Sequence, residues 1–266
     1  MREVVVVRGA GDLATGVGYR LHRCGFKVLM LEIENPLVIR RTVSYAQSVY
    51  DGEIVINGVK GVSVSSRGEI ESAWEREEIP VLVDERAGII SELKPKVVVD
   101  AILAKKNLGT NIDMADIVVA MGPGFTAGVD VDAVVETKRG HYLGSVILEG
   151  TAIPNTGVPG LIGGYDKERV IHSPATGKIE HISKIGDRVE AGQTIAKIGD
   201  TDVVVEIAGV LRGLIQEGLE VQTGLKIADV DPRGEVEHCF SISDKARSIA
   251  GGVLEAIMYK LYREKK

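Results

Sequence analysis

Two stretches of this chain repeat one another at a fixed offset of 32 positions. Gly177, Gly186, Val189, Gly192 and Ile195 recur as Gly209, Gly218, Val221, Gly224 and Ile227. Each copy reads as a short strand, a glycine turn, a short strand, a second glycine turn and a third strand. A segment this short cannot bury an apolar face by itself. Two copies folded against each other can, so the spacing predicts a small closed β sandwich.

The first half of the chain has a different pattern. Val4–Val7 is a continuous β-branched run, as in a strand buried on both faces. Gly9-Ala10-Gly11 breaks it, and Leu13, Val17 and Leu21 then share a helical face that stops at Gly25. Val28–Leu31 completes a βαβ unit. Further strands are expected at Pro80–Val83, Val97–Val99, Ile117–Ala120, Ala133–Val135 and Ser145–Leu148, and helices at about 38–49, 68–77 and 87–93. Gly52–Ser66 alternates apolar and polar residues, as in a small hairpin. Strands alternating with helices imply an α/β fold with a mostly parallel, Rossmann-like sheet. Near the C-terminus, Ser243 or Asp244 can cap a helix whose Ile249, Val253, Ile257 and Leu261 share one face. Gly251-Gly252 interrupts that helix and points to a close backbone contact. The expected units are a Rossmann-like domain at 1–165, a β domain at 166–234, and a C-terminal helix region at 235–266 that packs back on the body.

Composition narrows the function classes. The net charge of −6 and the 4% aromatic content argue against nonspecific or single-stranded nucleic-acid binding. No apolar run has the length of a membrane span, and Met1-Arg2-Glu3-Val4 runs directly into a strand, so neither a membrane nor a signal peptide is expected. Cys24 and Cys239 make no disulfide framework, which suits a cytoplasmic location. Gly-x-Ser-x-Gly, His-Glu-x-x-His and Cys-x-x-Cys motifs are absent. His238-Cys239 is too small a set for a closed zinc site, so no metal site is expected.

Candidate site residues come from glycine-rich loops at strand ends, where ligands sit in open α/β sheets. Gly9-Ala10-Gly11-Asp12-Leu13-Ala14 satisfies the G-x-G-x-x-G/A fingerprint, with Glu32 at the end of the next strand in the position of a ribose-binding acid. Asp12 opposes that reading, because a carboxylate at the mouth repels phosphate. It suits instead a helix cap, a cation, or an uncharged or cationic ligand. Gly122-Pro123-Gly124-Phe125-Thr126 can form an anion nest, with Gly122, Gly124 and the Thr126 hydroxyl as contacts. Glu136, Arg139 and His141 cluster after another strand, where Arg139 can clamp an anion and His141 can move a proton. Each of these segments can equally be an ordinary turn or a solvated salt-bridged loop. No catalytic residue is singled out, and enzymatic turnover is left open.

Two resemblances extend this reading. The twofold Gly-x-x-Val-x-x-Gly-x-x-Ile rhythm over about 170–233 resembles the biotinyl/lipoyl domain, a barrel-sandwich hybrid. The hairpin between the halves, Gly199-Asp200-Thr201-Asp202-Val203-Val204, lacks the modifiable lysine of carrier domains, so covalent biotin or lipoate is not expected. RGAGDLATG at 8–16, MGPGFTAGVDVDAVVETKRGHYLG at 121–144, PNTGVPG at 154–160, GVLRGLI at 209–215 and GLKIADVDPRG at 224–234 resemble the YqeB-type accessory proteins of selenium-dependent molybdenum hydroxylases. The first half is similar to XdhC-type chaperones of the molybdenum cofactor. The resemblance implies a maturation factor that binds molybdenum cofactor or a nucleotide in the crevice and docks a hydroxylase client. A nucleotide-dependent oxidoreductase or transferase, and a non-catalytic scaffold, are the alternatives. Homo-oligomerisation is left open.

Overall fold

The computed structural model describes residues 3–155, 157 and 161–263. It divides into two compact units. The first comprises residues 1–36, 44–156 and 242–266, and the second residues 37–43 and 157–241.

The first unit is built on one sheet of nine strands. The strands that run in parallel are β1 (Val4–Arg8), β2 (Lys27–Glu32), β4 (Val59–Val64), β5 (Ile79–Val83), β6 (Val97–Asp100), β7 (Ile117–Met121) and β9 (Ala133–Val135). Two antiparallel strands, β3 (Glu53–Ile56) and β10 (Val146–Ile147), close the edges. A separate pair, β8 (Thr126–Ala127) and β11 (Gly150–Thr151), stands outside the sheet. The central strands are apolar and fully buried, from Val5–Val7 through Leu29, Met30, Val97–Val99 and Val118–Ala120. Such continuous β-branched runs are what a strand covered on both faces requires.

The arrangement corrects the expectation of a Rossmann-like sheet. The order is β10-β9-β7-β6-β1-β2-β5-β4-β3. With the β3–β4 hairpin set aside, the parallel strands run β5-β2-β1-β6-β7-β9, and the winding reverses between β1 and β6. The hairpin extends the sheet beyond β5 and antiparallel β10 closes the other edge, so the whole is a mixed nine-stranded sheet and not a plain parallel one. Its helices are also sparse: α1 (Asp12–Arg23), the single turn α2 (Ser48–Asp51), α3 (Arg67–Glu75), α4 (Ile89–Leu93) and α5 (Asp244–Tyr262). The helix expected over 38–49 is replaced by 3-10 turns at Arg41–Val43 and Tyr45–Gln47 followed by α2.

In the second unit the repeat gives two four-stranded antiparallel sheets. The strands are β12 (Val170–His172), β13 (Gly177–His181), β14 (Arg188–Val189), β15 (Thr194–Ile198), β16 (Thr201–Val204), β17 (Gly209–Leu214), β18 (Glu220–Val221) and β19 (Lys226–Asp231). One sheet runs β12-β19-β17-β14 and the other β16-β15-β13-β18. Each therefore takes alternate strands from the two copies. The glycines at 186, 192, 218 and 224 all have positive φ, as the turns between short strands demand. The two sheets share one apolar core that includes Ile179, Ile195, Leu211, Leu214, Val221 and Ile227. This pair of interleaved sheets replaces the closed barrel-sandwich hybrid expected from the repeat.

The tail helix α5 packs inside the first unit along α1, β7, β9 and β10. The Ser243 side chain accepts a hydrogen bond from the Ala246 amide and so caps it. Close approach depends on small residues: a Cβ added to Gly16 of α1 would lie 2.9 Å from Cβ of Ala246. Among the described residues, no helix is long and apolar enough to cross a membrane.

The two glycines inside α5 should respond oppositely to alanine. A Cβ at Gly251 meets nothing within 4 Å, so Gly251→Ala should stabilise by about 1 kcal/mol through helix propensity. A Cβ at Gly252 would overlap the Gly144 carbonyl oxygen and come within 2.9 Å of Val135 Cγ1. Gly252→Ala should therefore cost about 1–3 kcal/mol through overpacking. Urea unfolding of both variants measures the contrast, and equal shifts of one sign would refute the packing account.

Candidate functional site

Because β1, β2, β6, β7 and β9 are parallel, their carboxyl ends open on one rim of the sheet. Most of the sequence-selected residues lie on that rim, but they are engaged in different ways.

The turn after β1 is tightly held. Gly9 has φ of 100°, and its amide donates to the Leu31 carbonyl at 2.8 Å. The Ala10 amide donates to Glu32 Oε2 at 2.8 Å, and its carbonyl accepts from Thr15 Oγ1 at 3.1 Å and from the Ala46 amide at 2.9 Å. Glu32 Oε1 also accepts from the Ile33 amide at 3.2 Å. Glu32 is thus turned onto its neighbouring backbone at the position expected for a ribose acid. Burial raises its carboxyl above the ordinary value, and the two amide hydrogen bonds partly offset this. Gly11 is the N-cap of α1 without a side-chain cap, and Asp12 stands in the first helical turn. Two carboxylates, Glu32 and Asp12, therefore stand at this turn, and the first occupies one of its amides.

The second glycine loop comes close to a segment that sequence reasoning missed. Residues 101–109 follow β6 and approach three glycines. A Cβ on Gly9 would lie 3.0 Å from the Ala101 oxygen, one on Gly122 would lie 3.6 Å from Leu103 Cδ2, and one on Gly124 would lie 2.8 Å from Lys106 Cα. Under this segment lies a buried polar network. Arg8 donates to Thr110 Oγ1 and, at 3.3 Å, to the Leu108 carbonyl. Thr110 Oγ1 donates to Asp100 Oδ2 at 2.5 Å, and the Arg8 and Asp100 side chains, 6% and 2% exposed, stand 3.8 Å apart. A sequence signal for this network existed: Arg8 and Asp100 each close an otherwise apolar strand run.

The remaining candidates have structural roles. Thr126 lies in β8, and its amide donates to Asp130 Oδ2 at 2.8 Å. Glu136 is buried and accepts from the Lys138 amide at 2.7 Å and the Ile153 amide at 2.8 Å, which ties two loops together. Arg139 grips Asp244 with two hydrogen bonds of 2.8 and 3.2 Å, so it braces the start of α5. His141 is exposed and makes an edge contact with Tyr142. The anion-clamp and proton-transfer readings of this cluster receive no support from these contacts. In the 154–160 motif, Thr156, Val158, Pro159 and Gly160 lie outside the described residues.

The second unit holds a separate cluster of charges. Arg169 and Arg212 pair with Asp229, and Arg212 and Arg233 pair with Asp231. Cys239 is buried beside it, and burial raises its thiol. Among the described residues, no group of three or more His, Cys, Asp or Glu is placed to hold a metal.

The fold and site define an α/β protein with a mixed sheet, a glycine-lined rim and a duplicated β unit. No family model matches the chain. It is 52% identical over 261 residues to the Escherichia coli K12 protein YqeB, an alignment covering 98% of this chain and 48% of that protein. The chain spans about half the length of this relative, which is itself described as uncharacterized.

Among solved structures, the chain is similar to the ectoine utilization protein EutE from Ruegeria pomeroyi, at 10% identity and a TM-score of 0.26, with 86% of this chain and 85% of that chain covered. An aspartoacylase family protein from Mesorhizobium loti aligns at 10% identity and a TM-score of 0.27, over 86% and 84% of the two chains. A succinylglutamate desuccinylase/aspartoacylase from Rhodobacter sphaeroides aligns at 22% identity and a TM-score of 0.22, over 24% and 21%. These overlaps are too slight to transfer an activity. The expected accessory role, with its selenium and molybdenum-cofactor associations, is withdrawn: the relative that aligns over this chain is described only as uncharacterized and gives that role no support.

Two titrations follow from these contacts. Glu32 should titrate above its ordinary value of 4.5 in a carbon-detected NMR experiment. Its protonated form suits the site, so its contribution to stability is full below 4.5 and is lost as pH rises through the raised value. Glu32→Gln should remove that dependence, and a titration at or below 4.5 would contradict the burial argument. Asp231 behaves in the opposite sense. Burial pushes its carboxyl up, but hydrogen bonds from Arg233 and the charges of Arg212 and Arg233 outweigh this and bring it down from 3.8 to about 2. Its stabilisation is present above 3.8 and should be lost as pH falls toward 2, measurable as a drop in Tm that Asp231→Asn abolishes.

Proposed function

We infer that the first unit binds a small polar ligand, uncharged or cationic, at the rim where β1, β6 and β7 end. The observation that carries this reading is the Glu32 carboxylate seated on the Ala10 amide, with Asp12 beside it in the first turn of α1. Backbone amides and a helix N-terminus ordinarily favour anions. Here a carboxylate takes one of those amides and a second stands at the helix start, so a phosphate would meet repulsion at close range. Hydroxyl or ammonium donors would instead find acceptors. The faces of Gly9, Gly122 and Gly124 are covered in this structure by the chain itself, at Ala101, Thr137 and Lys106.

The second unit, on this reading, works without a covalent prosthetic group. Its β15–β16 hairpin turns through Gly199 and Asp200, and the nearest lysine, Lys197, lies 3.6 Å from Asp202 across that hairpin.

Thermal shift and calorimetry test the ligand class directly. Putrescine, arginine, glycerol and glucose form one panel, and ATP, NAD and inorganic phosphate the other. A member of the first panel should stabilise the protein, by about 2.7 kcal/mol at a concentration 100 times its Kd. Asp12→Asn and Glu32→Gln should weaken that effect. Stabilisation by the phosphate panel alone would overturn the reading.

A further inference from the structure

We propose that residues 101–109 are a strap that closes the rim and must lift to admit a ligand. The inference rests on the rim being the binding site.

The two ends of the segment are fixed. Asp100 and Thr110 are buried, and the Arg8 guanidinium reaches Thr110, Asp100 and the Leu108 carbonyl. The stretch between them is held differently. The Ile102 amide donates to Asp100 Oδ1 at 3.2 Å, and Asn107 Oδ1 accepts from the Gly109 and Thr110 amides at 2.9 and 2.8 Å, so these bonds run to near neighbours in sequence. Ile102 and Leu108 expose 37% and 45% of their surface, where a packed core segment would bury them. Leu103 and Lys105 both adopt left-handed backbone, φ 61° and 63°, which residues with a Cβ seldom occupy. Exposed apolar groups and unfavourable backbone together mark a segment that opens at low cost while its ends stay put.

The floor beneath it is made to receive it. Gly9 and Gly124 both have positive φ and present no side chain. A Cβ on Gly124 would lie 2.8 Å from Lys106 Cα, and one on Gly9 would lie 3.0 Å from the Ala101 oxygen. The strap can therefore lie flat on the ends of β1 and β7 only because those positions are glycine. In that closed position it occupies the space through which a ligand would reach the rim, as loops that gate binding sites do.

Hydrogen exchange on the full chain without ligand tests the strap by itself. Amides of 102–107 should exchange at least ~100-fold faster than those of β1 and β6. Trypsin should cut first after Lys105 or Lys106. Gly124→Ala, which forces Lys106 away from the floor, should raise that cutting rate by about tenfold with an unchanged circular dichroism spectrum. Should that variant fail to fold, exchange in the unmodified protein still decides the matter. Exchange of 102–107 at the rate of β6 overturns the strap even if a ligand binds. Fast exchange with both ligand panels silent overturns the binding reading while leaving a mobile strap.

Discussion

Arg8 and Asp100 are register partners at the ends of β1 and β6, the neighbouring strands at which the winding of the sheet reverses. Both strands are otherwise apolar and buried, so this pair is where charge enters them. An isolated buried guanidinium or carboxylate carries a heavy desolvation cost, and removing either partner of such a pair typically destabilises by about 3–5 kcal/mol. Thr110 completes the arrangement as acceptor from Arg8 and donor to Asp100. The network thereby sets where β6 stops, where the following segment returns, and how close that segment comes to the glycines of β1 and β7. The geometry of the rim descends from these three side chains.

What could be read in the chain beforehand was local. The strand runs at Val4–Val7, Val28–Leu31, Val97–Val99 and Ile117–Ala120 all fall within observed strands, because an unbroken β-branched run has few other ways to be buried. The Ser243 cap and the close contact at Gly252 were visible for the same reason: both are short-range steric or hydrogen-bonding demands. Strand order was not visible. Placing β5 between β2 and β4 depends on which crossovers pack, and a one-dimensional pattern of apolar residues does not encode that choice. The segment from 38 to 49 misled for a related reason. Residues 37–43 join the second unit, where the Ile39 carbonyl accepts from the Leu214 amide at 2.7 Å, so tertiary pairing displaced the helix.

The candidate site divides along the same line. Gly9, Gly11, Asp12, Glu32, Gly122 and Gly124 were legible as strand-end positions, and the structure sets them on the rim. The Arg139 partner, Asp244, lies 105 positions away at the start of the tail helix and was not visible in the sequence. Nor were the partners of Glu136, whose two oxygens accept from backbone amides, one of them 17 positions on. A polar cluster after a strand has the same appearance in sequence whether it faces a ligand or staples loops. Only the partners distinguish the two.

The interleaving of the second unit reaches beyond its core. β12 and β16 also correspond across the duplication, Val170–His172 falling on Asp202–Val204 when shifted by 32 positions, so the repeated element is a four-strand module rather than three. One sheet combines β12 and β14 with β17 and β19, and the other combines β13 and β15 with β16 and β18. Neither module owns a complete layer. Cut at Gly199, the two fragments would each be an open half and each the other's complement. A single module encoded alone would have to meet a twin of itself before it could fold, which casts the duplicated unit as a self-paired dimer joined into one chain.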